Sequence, residues 1–464
     1  MRTARMLFVL LLCSSFATAA HASDDSGPTP VVDEAALSFE SLAEFANSHR
    51  YWGVHEGAGY RIEVPAVWNG SLVMYAHGFR GDGPILTVSN PAIRRFLLAN
   101  GFAWAASSFY RNHYDVRAGV ISTNSLARHF DTVTGLVPQR YFIHGHSMGG
   151  HITVAAIEQF PNRTCPEGSS GEFCRDILKH LGDLTGGIRY SGAVPMCGVL
   201  GDTRLFDYFR DFNLLAAYLA DVQVPRPPPP DFVTTLLPTI ISNLFITYPT
   251  VNNPQGEKLK AATIELTGGP RPIVELSYPT FMDLLFGFGG GDGSVPFVTH
   301  GLSVVSNVGR VYQLDHDSRL SREEGVLNRN IERFRADPRA NPSKFLALEG
   351  VPKLTGNLHV PTLSLHTLGD LFVPFSMEQI YAERTRLWRR EHQFVSRAIR
   401  AAQHCEFSIA EQERAFADML RWVDDGVKPA GDSVLDHKAV QSASFGCQFT
   451  TPVRAYDAGA CAPN

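Results

Sequence analysis

A serine between two glycines, at the point where a strand-like run meets a helix-like run, constrains this sequence most. Gly145-His146-Ser147-Met148-Gly149 follows RYFIH (140–144) and precedes a segment with apolar residues at helical spacing (150–160). So tight a turn leaves no room for a β-carbon two positions before or after the serine. Although GxSxG is a weak signal in a chain with 40 glycines, its flanks predict a strained turn that presents Ser147 as a nucleophile.

Strand-like and helix-like runs alternate on both sides of this motif. The pattern predicts an α/β fold, with a mostly parallel sheet covered by helices. Between 198 and 358 the alternation is lost, and a Pro-rich break (225–230) and a Gly-rich run (286–294) appear. The predicted strands are 61–64, 71–76, 102–109, 140–144, 187–194, 361–370 and 394–399, and the predicted helices are 91–100, 121–134, 150–160, 376–388 and 409–427.

The N-terminus resembles an export signal. Two arginines precede an apolar run from Met6 to Leu12, and Ala20-His21-Ala22 fits a small-x-small cleavage site. A membrane anchor needs about 20 consecutive apolar residues, and this run ends at Cys13. We therefore expect cleavage after Ala22, a secreted protein (extracellular or periplasmic), and no membrane span in the mature chain.

Removal of the signal would leave six cysteines, an even number that favours disulfides in an exported chain. No two of them form a CxxC pair, so structural zinc is not expected. Local pairing of Cys165 with Cys174, across a short polar loop, is favoured. The partners of the other four stay open, and Cys197 is one possible partner of Cys405. The six are Cys165, Cys174, Cys197, Cys405, Cys447 and Cys461.

The overall charge excludes one class of partner. The 464 residues carry a formal net charge of −5, which supplies no positive field to gather phosphates. Nucleic acid is therefore not an expected partner.

A nucleophilic serine needs donors for the oxyanion that forms on attack, and each donor lowers the barrier by about 3 kcal/mol. His77-Gly78-Phe79 ends the strand SLVMYA (71–76). We expect the backbone N–H groups of Phe79 and Met148 to form this oxyanion hole.

Two aspartates compete for the acid role, because Gly291-Asp292 and Gly369-Asp370 both begin the pattern G-D-x-x-V-P. Functional sites in parallel sheets lie at the carboxyl ends of the strands, and only Asp370 directly follows a predicted strand. We therefore choose Asp370 as the acid and interpret Asp292 as a turn residue.

The base should follow the acid in the chain. His404 comes 34 residues after Asp370, between a strand and a helix, and is preferred to His392 and His437. The cluster His144, His146 and His151 could suggest zinc, but packing around the serine turn is favoured and no metal is expected.

Together these motifs resemble the α/β-hydrolase superfamily: GHSMG (145–149), HGF (77–79), GDLFVP (369–374) and HC (404–405). The resemblance implies an eight-stranded, mostly parallel sheet, a mainly helical cap inserted after the sixth strand, and Ser147, Asp370 and His404 as a catalytic triad. The His-Cys step is also similar to secreted tannases and feruloyl esterases, although His146 stands where those proteins have a second cysteine.

On this basis the chain divides into a signal peptide (1–22), a hydrolase core in two parts (23–197 and 359–430), an inserted cap or lid (198–358), and a cysteine-bearing tail (431–464). The expected function is that of a secreted serine esterase of lipase-like type, which cleaves small or polymeric carboxylic esters through an acyl-enzyme without a cofactor. A peptidase or amidase with the same triad is one alternative, and a non-catalytic binding protein of this fold is another.

The cap is rich in aromatic residues that could roof an apolar or aromatic substrate group, although for most of them a place in the cap's own core is the simpler role. They include Phe206, Tyr208, Phe209, Phe212, Phe281, Phe286 and Phe288.

Overall fold

A computed structural model describes residues 29–159, 187–288, 295, 298–299, 301–317, 319–342 and 348–461. The predicted signal peptide, the predicted pairing of Cys165 with Cys174 and the alternative acid Asp292 lie outside the described residues.

Eight strands form one sheet in the order β8-β7-β6-β5-β3-β4-β2-β1. Strands β3 to β8 pair in parallel, whereas β2 pairs antiparallel with both β1 and β4. The predicted mostly parallel sheet is confirmed. The strands are β1 His49–His55, β2 Ala58–Val64, β3 Ser71–Ala76, β4 Ala103–Ser107, β5 Arg140–His146, β6 Tyr190–Met196, β7 Thr362–Thr367 and β8 Phe394–Ile399.

Helices cover this sheet and also make up most of the segment between β6 and β7. The described helices are α1 Arg94–Ala99, α2 Val116–Thr134, α3 Met148–Gln159, α4 Arg204–Leu219, α5 Phe232–Thr235, α6 Leu237–Leu244, α7 Pro254–Leu266, α8 Val274–Ser277, α9 Met282–Gly287, α10 Arg322–Asn330, α11 Ser376–Leu387, α12 Ile409–Asp425 and α13 His437–Val440.

Helices α4 to α10 lie between the sixth and seventh strands, together with a short antiparallel pair, Phe245–Thr247 and Val251–Asn252. The predicted helical insertion after the sixth strand is therefore present; its limits at 198 and 358 stay a prediction. Across the part of the chain that the structure describes, no helix is both long and apolar enough to cross a membrane.

Strand β1 was not predicted from the sequence, and the predicted limits of β6 were wrong. Strand β1 lies at the sheet edge, and its sequence HRYWGVH mixes polar and glycine residues with an exposed Trp52 and Val54, so it has no continuous apolar run. Strand β6 begins at Tyr190 rather than 187 and extends to Met196, because its last residues pair with β5 next to the serine turn.

A buried ion pair holds α1 against β2. Glu63 is fully buried, and its carboxylate accepts hydrogen bonds from Arg94 Nε (2.5 Å) and Nη2 (2.9 Å) and from Trp104 Nε1 (2.9 Å). Because a buried charge is costly without a partner, this side of the fold depends on both members of the pair.

Replacement of Glu63 by leucine should leave the buried Arg94 guanidinium without its counter-ion. We expect Glu63→Leu to lower the free energy of unfolding by about 3–5 kcal/mol, measured by urea denaturation. The double variant Glu63→Leu/Arg94→Met, which removes both charges, should recover most of that loss. A single variant as stable as the wild type would contradict this account.

Candidate active site

The turn at Ser147 joins β5 directly to α3, and Ser147 adopts a positive φ of 58°. Its N–H donates to the carbonyl oxygen of Met196, at the end of β6 (2.9 Å). A β-carbon on Gly149 would overlap the carbonyl oxygen of Ala76, and one on Gly145 would overlap that of Gly149. The backbone segments approach so closely that only glycine fits at these positions.

The loop after β3 passes alongside the Ser147 side chain. A β-carbon on Gly78 would lie 3.1 Å from the Cβ of Ser147 and 3.7 Å from its Oγ. The preceding His77 ring is buried, with Nδ1 2.6 Å from the carbonyl oxygen of Gly78 and Nε2 3.2 Å from that of Ser108. This arrangement holds the backbone that leads into Phe79 beside the serine, whereas the Phe79 side chain is exposed.

Asp370 and His404 are brought together. Asp370 follows β7 and is fully buried, and its Oδ1 accepts the N–H groups of Phe372 and Val373, both at 2.9 Å. Its Oδ2 accepts a hydrogen bond from His404 Nδ1 at 2.5 Å. The carboxylate is therefore fixed from both oxygens, and the His404 ring from one nitrogen. Ser147 and His404 are both partly exposed, so a ligand could reach them.

A disulfide joins the His404 loop to the segment that supports the serine turn. Cys405 is bonded to Cys197, which directly follows the Met196 that binds the Ser147 N–H. The Cys405 Sγ lies 3.3 Å from His404 Nε2. The sequence left this pairing open, together with that of Cys447, which is bonded to Cys461 in the tail.

His144 lies in β5, three residues before Ser147, and is fully buried. Neither of its ring nitrogens has a hydrogen-bond partner among the described residues, and its ring packs against Tyr75 (5.0 Å between centroids) and Phe416 (5.8 Å). Burial lowers the pKa of His144 to about 3. It is thus a neutral ring that packs as an aromatic side chain.

The other two histidines of the cluster have separate partners. His146 Nε2 lies 3.1 Å from the Gln412 side-chain oxygen. His151 lies 3.0 Å from the Tyr114 hydroxyl and 2.8 Å from the carbonyl oxygen of Pro352. Burial lowers the pKa of each to about 4. The three rings therefore serve packing and local hydrogen bonds.

A buried polar network behind Asp370 was not found from the sequence. His366 Nε2 donates to the carbonyl oxygen of Val373 (2.7 Å), and its Nδ1 faces Glu378 Oε1 (3.3 Å). Burial opposes the charged form of His366, but the hydrogen bond and charge of Glu378 outweigh it and raise the pKa of His366. The network supports the turn that carries Asp370. Its sequence signal was the row of polar residues Thr362, Ser364 and His366 along one face of β7.

The insertion contacts the same turn on both sides of Asp370. The Tyr208 hydroxyl of α4 donates to the carbonyl oxygen of Leu371 (3.0 Å), and Arg271 Nε donates to that of Leu368 (2.7 Å). Both side chains are buried, so these bonds hold the insertion against the loop that carries Asp370.

The strand order, the strained serine turn after β5 and the helical insertion after β6 define the fold: the chain has the α/β-hydrolase fold. No family model matches the sequence. Among curated proteins, the o-phthalyl amidase of Xanthobacter agilis is 22% identical over 436 residues, covering 81% of this chain and 87% of that protein.

Two solved structures illustrate the structural similarity. Feruloyl esterase B from Aspergillus oryzae is 12% identical with a TM-score of 0.40, covering 84% of this chain and 85% of its own. The acylaminoacyl peptidase of Pyrococcus horikoshii is 9% identical with a TM-score of 0.38, covering 83% of this chain and 43% of its own. The strand order establishes the fold, and these superpositions do not.

The His144 ring should make stability fall in acid. Below pH 6.5 the unfolded chain protonates this histidine, whereas the folded protein does not until about pH 3, so stability is lost as the pH falls. Between pH 7 and pH 5, the free energy of unfolding measured by urea denaturation should fall by about 2 kcal/mol less in His144→Phe than in the wild type. His437→Phe, at an exposed position, is the control and should behave as the wild type. Equal pH dependence in all three proteins would refute the assignment.

Loss of the Cys197–Cys405 bond should impair turnover as well as stability. We expect Cys197→Ala/Cys405→Ala to lower kcat by about 10²-fold, because the His404 loop loses its attachment, and to lower the free energy of unfolding by about 2–5 kcal/mol. The matched control, Cys447→Ala/Cys461→Ala, removes the disulfide of the tail and should keep kcat. If kcat of the first variant is unchanged under conditions in which it is fully folded, the Cys197–Cys405 bond contributes to stability only.

Proposed function

We propose that the chain is an exported serine hydrolase that cleaves carboxylic esters through an acyl-enzyme, with Ser147 as nucleophile, His404 as base and Asp370 as its acid partner. The observation that carries the proposal is the 2.5 Å hydrogen bond from His404 Nδ1 to the buried Asp370, on a loop that a disulfide joins to the support of Ser147. A base oriented by a carboxylate, near a strained serine, is the arrangement that serine acyl transfer requires.

The steps follow from these groups. His404 Nε2 takes the Ser147 hydroxyl proton, while the His404 Nδ1–H stays hydrogen-bonded to the Asp370 carboxylate. The serine oxygen then bonds to the substrate carbonyl carbon. The negative charge passes to the carbonyl oxygen, which the N–H groups of Phe79 and Met148 would stabilise. As the intermediate collapses, His404 returns the proton to the leaving alcohol. Water, deprotonated by His404, then hydrolyses the acyl-enzyme by the same steps.

A second candidate is an amidase with the same residues. The o-phthalyl amidase of Xanthobacter agilis supports it, because the similarity extends over most of both chains. The chemistry differs in the leaving group, since an amine must receive the proton of His404 before it departs. The triad residues proposed here serve either reaction.

Export is the setting that the cysteines favour. Two disulfides are formed among the described residues, Cys197–Cys405 and Cys447–Cys461, and such bonds persist in oxidising compartments. The N-terminal sequence of a signal peptide supports the same proposal.

The nucleophile can be tested with the wild type and Ser147→Ala. p-Nitrophenyl esters of graded acyl length and aminoacyl anilides should separate the esterase from the amidase. We expect the wild type to turn over the esters and Ser147→Ala to lose at least three powers of ten in kcat. Cleavage of anilides alone would favour the amidase, and equal turnover by both proteins would reject Ser147. A folded wild type inactive on every substrate would favour a binding protein.

The acid can be tested by a matched pair of variants. Asp370→Asn should lower kcat by about 10⁴-fold, because an amide cannot hold His404 in the required tautomer. Asp292→Asn changes the same side chain in the other G-D-x-x-V-P sequence and should keep the wild-type rate. The reverse result would transfer the acid role to Asp292.

A further inference from the structure

Three phenylalanine rings lie nearly parallel beside His404, and we call Phe209, Phe288 and Phe372 the aromatic stack. The Phe209 and Phe288 centroids are 4.7 Å apart at 21°, and those of Phe288 and Phe372 are 5.8 Å apart at 9°. Phe372 also meets the His404 ring edge-on, at 5.0 Å and 72°. The insertion thus supplies two rings, and the loop of the acid supplies the ring that contacts the proposed base.

The aromatic stack is open on one side. Phe209 is buried and Phe372 is partly buried, whereas Phe288 is 43% exposed. Other phenylalanines of the insertion, such as Phe212 and Phe286, are fully buried and pack on each other (5.1 Å). Phe288 therefore contributes less to the insertion's own core than its neighbours do, and its free ring surface remains available to a ligand.

Attachment of the insertion does not by itself account for an exposed ring. The hydrogen bonds from Tyr208 to Leu371 and from Arg271 to Leu368 already hold the insertion against the loop of the acid, from buried positions. Phe288 leaves much of its area in water, where burial by a ligand would gain free energy.

The chemistry decides which part of a substrate would reach these rings. His404 must come within hydrogen-bond distance of the leaving group in order to protonate it. A ring that contacts His404 edge-on therefore lies next to the leaving group. The three rings carry no polar atom, so they suit an uncharged aromatic group.

We infer that the aromatic stack binds an aromatic ring on the leaving-group side of the substrate, as in a benzyl or aryl ester or the corresponding amide. This inference deepens the proposed function and rests on it. Phe288 and Phe372 would contact the substrate ring, and Phe209 would position Phe288.

Four esters separate the two sides of the substrate: ethyl acetate, benzyl acetate, ethyl benzoate and benzyl benzoate. We expect Phe288→Ala to lower the kcat/KM ratio of benzyl acetate to ethyl acetate by about tenfold, the worth of one aromatic contact. Phe288→Tyr keeps a ring and should keep the ratio, whereas Phe288→Leu keeps apolar bulk alone and should lower it. Trp388→Ala, which removes an aromatic ring 54% exposed at the end of α11, is the control and should not change the ratio.

Two outcomes would overturn the inference: a benzyl-to-ethyl ratio that Phe288→Ala leaves unchanged, or a loss confined to the benzoate esters, which would place the stack on the acyl side. Binding of benzyl alcohol to Ser147→Ala, followed by saturation-transfer NMR, needs no turnover. Benzyl alcohol should bind there and should lose about tenfold in affinity when Phe288→Ala is added. This measurement separates failure of the aromatic stack from failure of the proposed function, and absence of binding would reject the stack.

Discussion

The close approach of three backbone segments at the serine turn is the constraint on which the rest of the site depends. The carbonyl oxygen of Ala76 lies so near Gly149 that no side chain fits between them. This contact places the end of β3, and with it the Gly78–Phe79 backbone, beside Ser147. The positive φ of Ser147 is thus a consequence of close packing between neighbouring strands, and the expected oxyanion donors come from the same contact.

His404 is positioned by a different set of contacts. Asp370 is held by the N–H groups of its own turn and by the insertion, which binds the carbonyl groups on either side of it. His404 is then fixed by Asp370 and by the disulfide of its neighbour Cys405. The insertion therefore helps to fix Asp370, and two of its aromatic rings stack on Phe372, which contacts His404.

Features that depend on neighbouring residues were predictable from the sequence. The strand 71–76 is an almost continuous apolar run, SLVMYA, and the structure has both this strand and the predicted strand 394–399 at the same limits. The pattern around Ser147 depends on steric rules within a few residues, so the turn is visible in the sequence. The edge strand β1 was missed, because an exposed edge needs no continuous apolar run.

Contacts between distant residues were not predictable in the same way. The pairing of Cys197 with Cys405, the His366–Glu378 network and the aromatic stack each join residues that only the fold brings together. No local pattern records which of several cysteines or phenylalanines will meet. Asp370 does lie beside His404, as its place after a strand predicted, whereas the choice of Asp370 over Asp292 stays a prediction.

The Cys197–Cys405 bond spans 208 residues and closes the insertion, β7 and β8 into a single covalent ring. A protease that cuts once anywhere in the insertion leaves two fragments that this bond still joins. The serine turn and the His404 loop then remain on one molecule, and the hydrogen bonds from the insertion to the Asp370 turn can hold the two fragments together. The same covalent ring also holds the His404 loop beside the end of β6, whatever the length of the insertion between them.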